Sequence, residues 1–138
     1  PQQKEGAILV NECNATERIN FTTWTPRVYE HMQNATHLIN LSNVEGQPNV
    51  VLEGAVCGLH LLLSDIPSHR ELGYFLDAKF VDQTNVERMT FLVREMILGY
   101  DGKSQPLHDY KILHNRTPGK IAQNYLYFYQ KLIREYGK

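Results

Sequence analysis

The stretch Val50-Val51-Leu52-Glu53-Gly54-Ala55-Val56-Cys57-Gly58-Leu59-His60-Leu61-Leu62-Leu63 decides the fold. Its first half follows Pro48, a residue suited to the first position of a helix, and carries Val50, Leu52, Glu53 and Val56 towards a stop near Gly58. Its second half, Leu59 to Ser64, is a near-continuous apolar run of strand length. That pattern belongs to a strand covered on both faces, as in a parallel sheet. A single carboxylate, Glu53, interrupts the stretch, and a buried carboxylate without a partner loses several kcal/mol of solvation free energy. Glu53 therefore faces a cleft where something hydrogen-bonds it, or it is ion-paired in the core.

Outward from this stretch the elements alternate as in βαβ units. Ala7 to Val10 and Ile19 to Thr23 read as short strands. Thr25 caps a helix with Pro26 at its first position, running to about Ala35. His37 to Leu41 reads as a strand, and Ala78 to Val81 as the last one. Ser68 with Glu71, and Thr84 with Glu87, have capping-box spacing. Val86, Met89, Val93, Met96 and Ile97 keep helical spacing, and a polar connection runs from Gly99 to His108 through Pro106. Thr117 and Pro118 start a final helix with Ile121, Tyr125, Phe128, Tyr129, Leu132 and Tyr136 on one stripe and Gly137 as its stop signal. The expected fold is α/β, a Rossmann-like three-layer parallel sheet with helices on both faces, in one domain over residues 1–138.

Composition narrows the function classes. The 138 residues are 42% hydrophobic and 21% charged, values of a globular domain with a sizeable core. A net charge of −1 gives no broad basic field, which argues against nucleic acid as a partner. No run of about 18 apolar residues spans a bilayer. The polar start, Pro1-Gln2-Gln3-Lys4-Glu5, resembles no signal or transit peptide and lacks an initiator Met, so a processed or excised piece is expected. Cys13 and Cys57 are too few for a disulfide framework and fit a reducing cytoplasm. In that compartment the Asn-x-Thr triplets at Asn14, Asn20, Asn34 and Asn115 are chance matches to a glycosylation signal. No His/Cys/Asp spacing suggests a metal, and no Ser/His/Asp set converges on a nucleophile.

The chemistry gathers around Glu45-Gly46-Gln47-Pro48-Asn49. Open parallel sheets bind ligands beyond the carboxyl ends of their strands, where a loop leads into a helix, and the loop from Ser42 to Gln47 lies there. A helix N-terminus offers unsatisfied N–H groups and about half a positive charge, which suits phosphate. Gly46 lets backbone approach a ligand. Glu53, about 7.5 Å along the helix from Pro48, is within reach of another part of an elongated ligand such as a ribose.

Glu45-Gly46-x-Pro48-Asn49-Val50-x-Leu52-Glu53, then Cys57-Gly58-Leu59, then Ser64-Asp65-Ile66-Pro67-x-His69-Arg70-Glu71 closely resembles the nucleotide-sugar half of retaining glycosyltransferases of family 4, enzymes of the two-domain GT-B fold. The resemblance runs from about Ile19 to Tyr136, since the Tyr-rich helix also looks like that family's C-terminal helix. It implies a single half of a GT-B enzyme, the acceptor-binding N-terminal domain being absent. It further implies that Glu45 contacts the transferred sugar, that backbone amides from Gly46 through Gln47, Pro48 and Asn49 to Val50 cradle sugar and diphosphate, and that Glu53 accepts from the ribose hydroxyls. Trp24 and Thr25 would approach the base. The substrate implied is a nucleoside diphosphate sugar, with no metal cofactor. The partner implied is the N-terminal acceptor domain, or a partner chain, on the last helix, with a membrane-surface acceptor reached through that domain.

The chain departs from the family at Gln47, Gly54 and His60, and lacks the upstream basic segment that clamps the diphosphate. The alternative is a non-catalytic nucleotide-binding or scaffold module of the same fold. A receiver-like domain predicts an acidic pocket at strand ends, which Ala7 to Thr23 does not supply. Bland readings stand beside the matched positions: Glu53 as a helix carboxylate paired with Arg or Lys, Glu45 as a solvated loop acid, and Gly46-Gln47-Pro48 as a plain turn. His69 and Arg70 fit a solvated first helical turn equally well, His60 a core histidine, Cys57 inert packing, and the aromatic stripe either core or a patch awaiting a partner.

Overall fold

Three parallel strands, β1 (His37–Asn40), β2 (His60–Ser64) and β3 (Ala78–Val81), form an open sheet in the order β1-β2-β3. A computed structural model describes residues 2–104 and 117–136. The expectations for Pro106, His108, Asn115 and Gly137 lie outside the described residues, as do the side chains of Leu132 and Tyr136. The chain divides into two compact units, Pro1–His31 and Met32–Lys138.

In the first unit the sequence expectation of strands gives way. Ala7 to Val10 lies inside a helix, α1 (Gln2–Glu12). A short apolar run does not by itself distinguish strand from buried helix. The deciding signal is downstream: Asn14 takes the left-handed conformation (φ 51°), while the Ala15 amide donates to the Val10 carbonyl (2.9 Å) and the Asn14 amide to the Asn11 carbonyl (3.0 Å). That is the bond pair with which a helix commonly ends, and Asn tolerates the conformation it requires. Ile19 to Thr23, also expected as a strand, is irregular backbone, with Phe21 beside Gly6. The following helix, α2 (Val28–Gln33), is shorter than expected, because Pro26 and Arg27 form a turn in which the Arg27 amide donates to Thr25 Oγ1 at 3.1 Å.

In the second unit, helix α3 (Asn49–Val56) joins β1 to β2, and α4 (Pro67–Gly73) joins β2 to β3. The central strand explains its own composition. Leu61 and Leu63 pack with Val51, Leu52 and Ala55 of α3 and Leu72 of α4, whereas Leu62 faces the other way and packs with Val81 and Leu92. Leu92 belongs to α5 (Val86–Leu98), so helices cover both faces of the sheet. Leu62 and Leu63 are fully buried, and truncating either to Ala costs about 2–5 kcal/mol. Gly54 is the point of closest approach between α3 and β1: a Cβ there would stand 2.6 Å from Leu38 Cδ2.

Neither expected capping box forms. Proline at the first position starts α4 behind Ile66, with no side-chain cap, and Asn85 rather than Thr84 caps α5 by accepting from the Arg88 amide at 2.9 Å. Thr84 instead donates its hydroxyl to Asp82 (2.7 Å). The last helix, α6 (Pro118–Tyr136), begins where Thr117 Oγ1 accepts from the Lys120 amide. Its apolar stripe is not core: Tyr125, Phe128 and Tyr129 are each more than half exposed. Among the described residues, no helix is long and apolar enough to cross a membrane.

Candidate functional site

In a parallel sheet all strands end on one edge, and here that edge gathers the loops after Asn40, Ser64 and Val81. Side chains tie those loops together. The Ser64 hydroxyl at the end of β2 donates to the Ser42 carbonyl (2.6 Å), and Gln83 Nε2 donates to Asn43 Oδ1 (2.8 Å). The Asp65 amide donates to the Val81 carbonyl at 2.8 Å. The loop from Leu41 to Pro48 is thus anchored from the end of β2 and from the loop after β3.

Glu45 is half-buried at the far side of this loop. Ser42 Oγ lies 2.7 Å from Glu45 Oε1 and 2.8 Å from Asn40 Oδ1. A hydroxyl has one proton to give, and the carboxylate is the stronger acceptor. The Ser42 amide supplies the remaining bond to Asn40 Oδ1 at 3.1 Å.

The tip of α3 follows at once. Pro48 sits at the cap position (φ −79°, ψ 74°), one residue earlier than expected, and is buried, while Gly46, Gln47 and Asn49 are exposed. No side chain caps this helix. The Asn49 amide donates to the Gln47 carbonyl and the Val51 amide to the Pro48 carbonyl. The amides of Gly46, Gln47 and Val50 donate to no protein group among the described residues. The space around Gly46 is open, with no atom within 4 Å of the place of a Cβ. Such a tip, with free N–H groups and the positive end of the helix dipole, suits an anion.

Gly46, Gln47 and Pro48 line a hollow of about 210 Å³ together with Ser68, Glu71 and Leu72 of the α4 region. Glu45 and Glu53 lie outside that lining. Glu53 is exposed on the same α3 face as Asn49 and Val56, while Val51, Leu52, Gly54 and Ala55 turn inward. The apolar company of Glu53 in sequence is therefore the buried face of its own helix, and its carboxylate, in solvent, has no ion pair among the described residues. Partial burial, with the Glu53 charge as the smaller cause, pushes the Cys57 thiol up. Trp24 and Thr25 belong to the Pro1–His31 unit, where Trp24 is 87% exposed and Thr25 is engaged by Arg27.

Arg70, the arginine of the Ser64 to Glu71 segment, is committed elsewhere. Its Nε and Nη2 bind both oxygens of Asp65, the latter at 2.7 Å, and its guanidinium stacks over Phe80 at 4.4 Å. The fork holds the Asp65 carboxyl below the usual carboxylate range. His69 is fully buried, not solvated, and Ser64 beside it is also fully buried. Sequence reasoning missed Ser42 and Ser64 because nothing in their spacing announces a bond across 22 positions. A hollow of about 610 Å³ lies between β1 and α5 and is almost wholly apolar, through Ile39, Leu41, Met89, Val93 and Ile97. It lacks the converging polar groups that orient a ligand. Among the described residues no group of three or more His, Cys, Asp or Glu side chains is placed to hold a metal.

Comparison with known proteins gives no match: no family, no curated protein and no solved structure is significantly similar to this chain.

Proposed function

We propose that the Met32–Lys138 unit is the donor-binding half of a retaining glycosyltransferase of the GT-B type, which holds a nucleoside diphosphate sugar for attack by an acceptor hydroxyl. The observation that carries this reading is the uncapped tip of α3, with the amides of Gly46, Gln47 and Val50 free and a half-buried carboxylate, Glu45, fixed by Ser42 just before it. The diphosphate sits at the tip, where N–H groups and the helix dipole stabilise its charge as it departs, so no divalent cation is needed. Glu45 stands at the sugar and Glu53, on the exposed α3 face, at the ribose. In a retaining transfer the acceptor attacks from the face that the diphosphate leaves, and the acceptor is held by a second domain. The exposed apolar stripe of α6, with Tyr125, Phe128 and Tyr129, is the surface for that domain or for a partner chain. The setting is the cytoplasm, with a membrane-surface acceptor reached through the second domain.

One observation favours a second reading, a non-catalytic nucleotide-binding or scaffold module of the same fold. Arg70 is spent on Asp65, so the tip presents amides to a diphosphate without a guanidinium from the matched segment.

Calorimetric titration with UDP, GDP and their sugars tests the reading. Wild type binds one of these nucleotides, and Glu53→Ala weakens it by about 1–3 kcal/mol through loss of charge-assisted hydrogen bonds to the ribose. A variant that binds as tightly as wild type removes Glu53 from the site.

A further inference from the structure

One of the buried polar groups of the core is a histidine. His69, on α4, is fully buried, and its Nδ1 lies 3.0 Å from Ser64 Oγ and 3.0 Å from the Ser64 carbonyl oxygen. The Ser64 hydroxyl spends its proton on the Ser42 carbonyl at 2.6 Å, so towards the imidazole it offers lone pairs alone, as does the Ser64 carbonyl. Nδ1 must then be the nitrogen that carries the proton. Nε2 is buried and meets no partner among the described residues. An unpaired buried nitrogen is disfavoured, so the ring is held for what Nδ1 does.

From Ser64 the hydrogen bonds continue outward. Ser42 has its carbonyl bound by Ser64, its amide bound by Asn40 and its hydroxyl 2.7 Å from the Glu45 carboxylate. With all three polar groups engaged, Ser42 has one arrangement available, and Glu45 takes its direction from it. We propose that His69 and Ser64 are positioning residues for Glu45, acting through Ser42. That these bonds serve sugar recognition rests on the donor-site reading above.

The test uses the full chain in four forms: wild type, His69→Leu, His69→Asn and Ser64→Ala. Asn keeps an N–H donor close to the place of Nδ1; Leu does not. Without ligand, amide hydrogen exchange compares Ser42 with Leu62, whose strand reports global opening. In His69→Leu and Ser64→Ala, exchange at Ser42 accelerates about tenfold beyond any change at Leu62, while His69→Asn stays within about threefold of wild type. Acceleration equal at both amides, or Ser42 unchanged, overturns the proposal, and Ser64→Ala decides alone if His69→Leu does not fold. Imidazole nitrogen shifts give an independent signature: the proton resides on Nδ1, and finding it on Nε2 overturns the proposal as well. With ligand, UDP and GDP are compared with UDP-glucose and GDP-mannose. In His69→Leu the nucleotide sugar loses about fivefold more affinity than the nucleotide. If nucleotides bind and that ratio matches wild type, the positioning role fails and the donor site stands. If no nucleotide binds wild type, the donor site fails and exchange at Ser42 decides the positioning role.

Discussion

Gly54→Ala is expected to destabilise the protein, the opposite of its effect on an ordinary helix. On an exposed helix the substitution gains about 1 kcal/mol. Here the new Cβ would lie 2.6 Å from Leu38 Cδ2 and 3.6 Å from Leu38 Cβ and Cγ. Carbon atoms pack best at about 3.5–4.0 Å, so about 1 Å of separation has to be found. Leu38 lies on β1 under α3, packed against the core, and its withdrawal disturbs the sheet beneath. Overpacking of this kind costs about 1–3 kcal/mol. The balance is a loss of about 1 kcal/mol, with a range from about zero to about 2. Thermal unfolding followed by circular dichroism reads this as a fall in Tm of about 4–8 °C per kcal/mol for a unit of this size. The cause is isolated in a Leu38→Ala background, where the clash is gone and Gly54→Ala turns stabilising, a coupling of about 1–3 kcal/mol. A higher Tm for Gly54→Ala in the wild-type background refutes the reasoning.

Two further outcomes follow from the same geometry. Gly46→Ala meets open space at a φ that L residues adopt, so Tm holds or rises by about 0.4–1 kcal/mol equivalent, while nucleotide affinity falls because the backbone no longer reaches the diphosphate; unchanged affinity removes Gly46 from the site. Acidification gives the other outcome. Arg70 depresses the Asp65 carboxyl, so the pair's stabilisation is complete above the ordinary carboxylate value of about 3.9 and is lost as pH falls through the lower folded value. Below about pH 4, Asp65→Asn therefore loses stability less steeply than wild type in urea titrations, and parallel slopes contradict the assignment.

Much of the sheet was legible because its signals are local. The apolar run from Leu59 to Ser64 announced a strand covered on both faces, β2 falls on His60–Ser64 within it, and β3 falls on Ala78–Val81 as expected. The first unit was misread where apolar runs were short. Ala7 to Val10 has strand length and strand residues, and only the left-handed Asn14 beyond it marks a helix end. At the site, the tip of α3 was legible from Gly46 and Pro48, since turn and cap chemistry is written in adjacent residues. The burial of Glu53 was misjudged for the opposite reason. Its neighbours in sequence are apolar, yet a helix turns them inward and leaves Glu53 in water. The bond from Ser64 to Ser42 and the burial of His69 depend on how β1, β2 and α4 come together, which no local pattern encodes. Gly54, read only as a departure from the family, is the residue that lets α3 approach Leu38.

The central claim is that a diphosphate lodges at the tip of α3, between Glu45 and Glu53. Backbone amide shifts recorded during titration with UDP and GDP at millimolar concentration test it most directly. The account predicts saturable shifts at Gly46, Gln47, Asn49 and Val50, with the strand amides of Leu61 to Leu63 little changed. A folded protein whose tip amides stay still, or whose shifts gather instead around Ile39 and Val93, contradicts it.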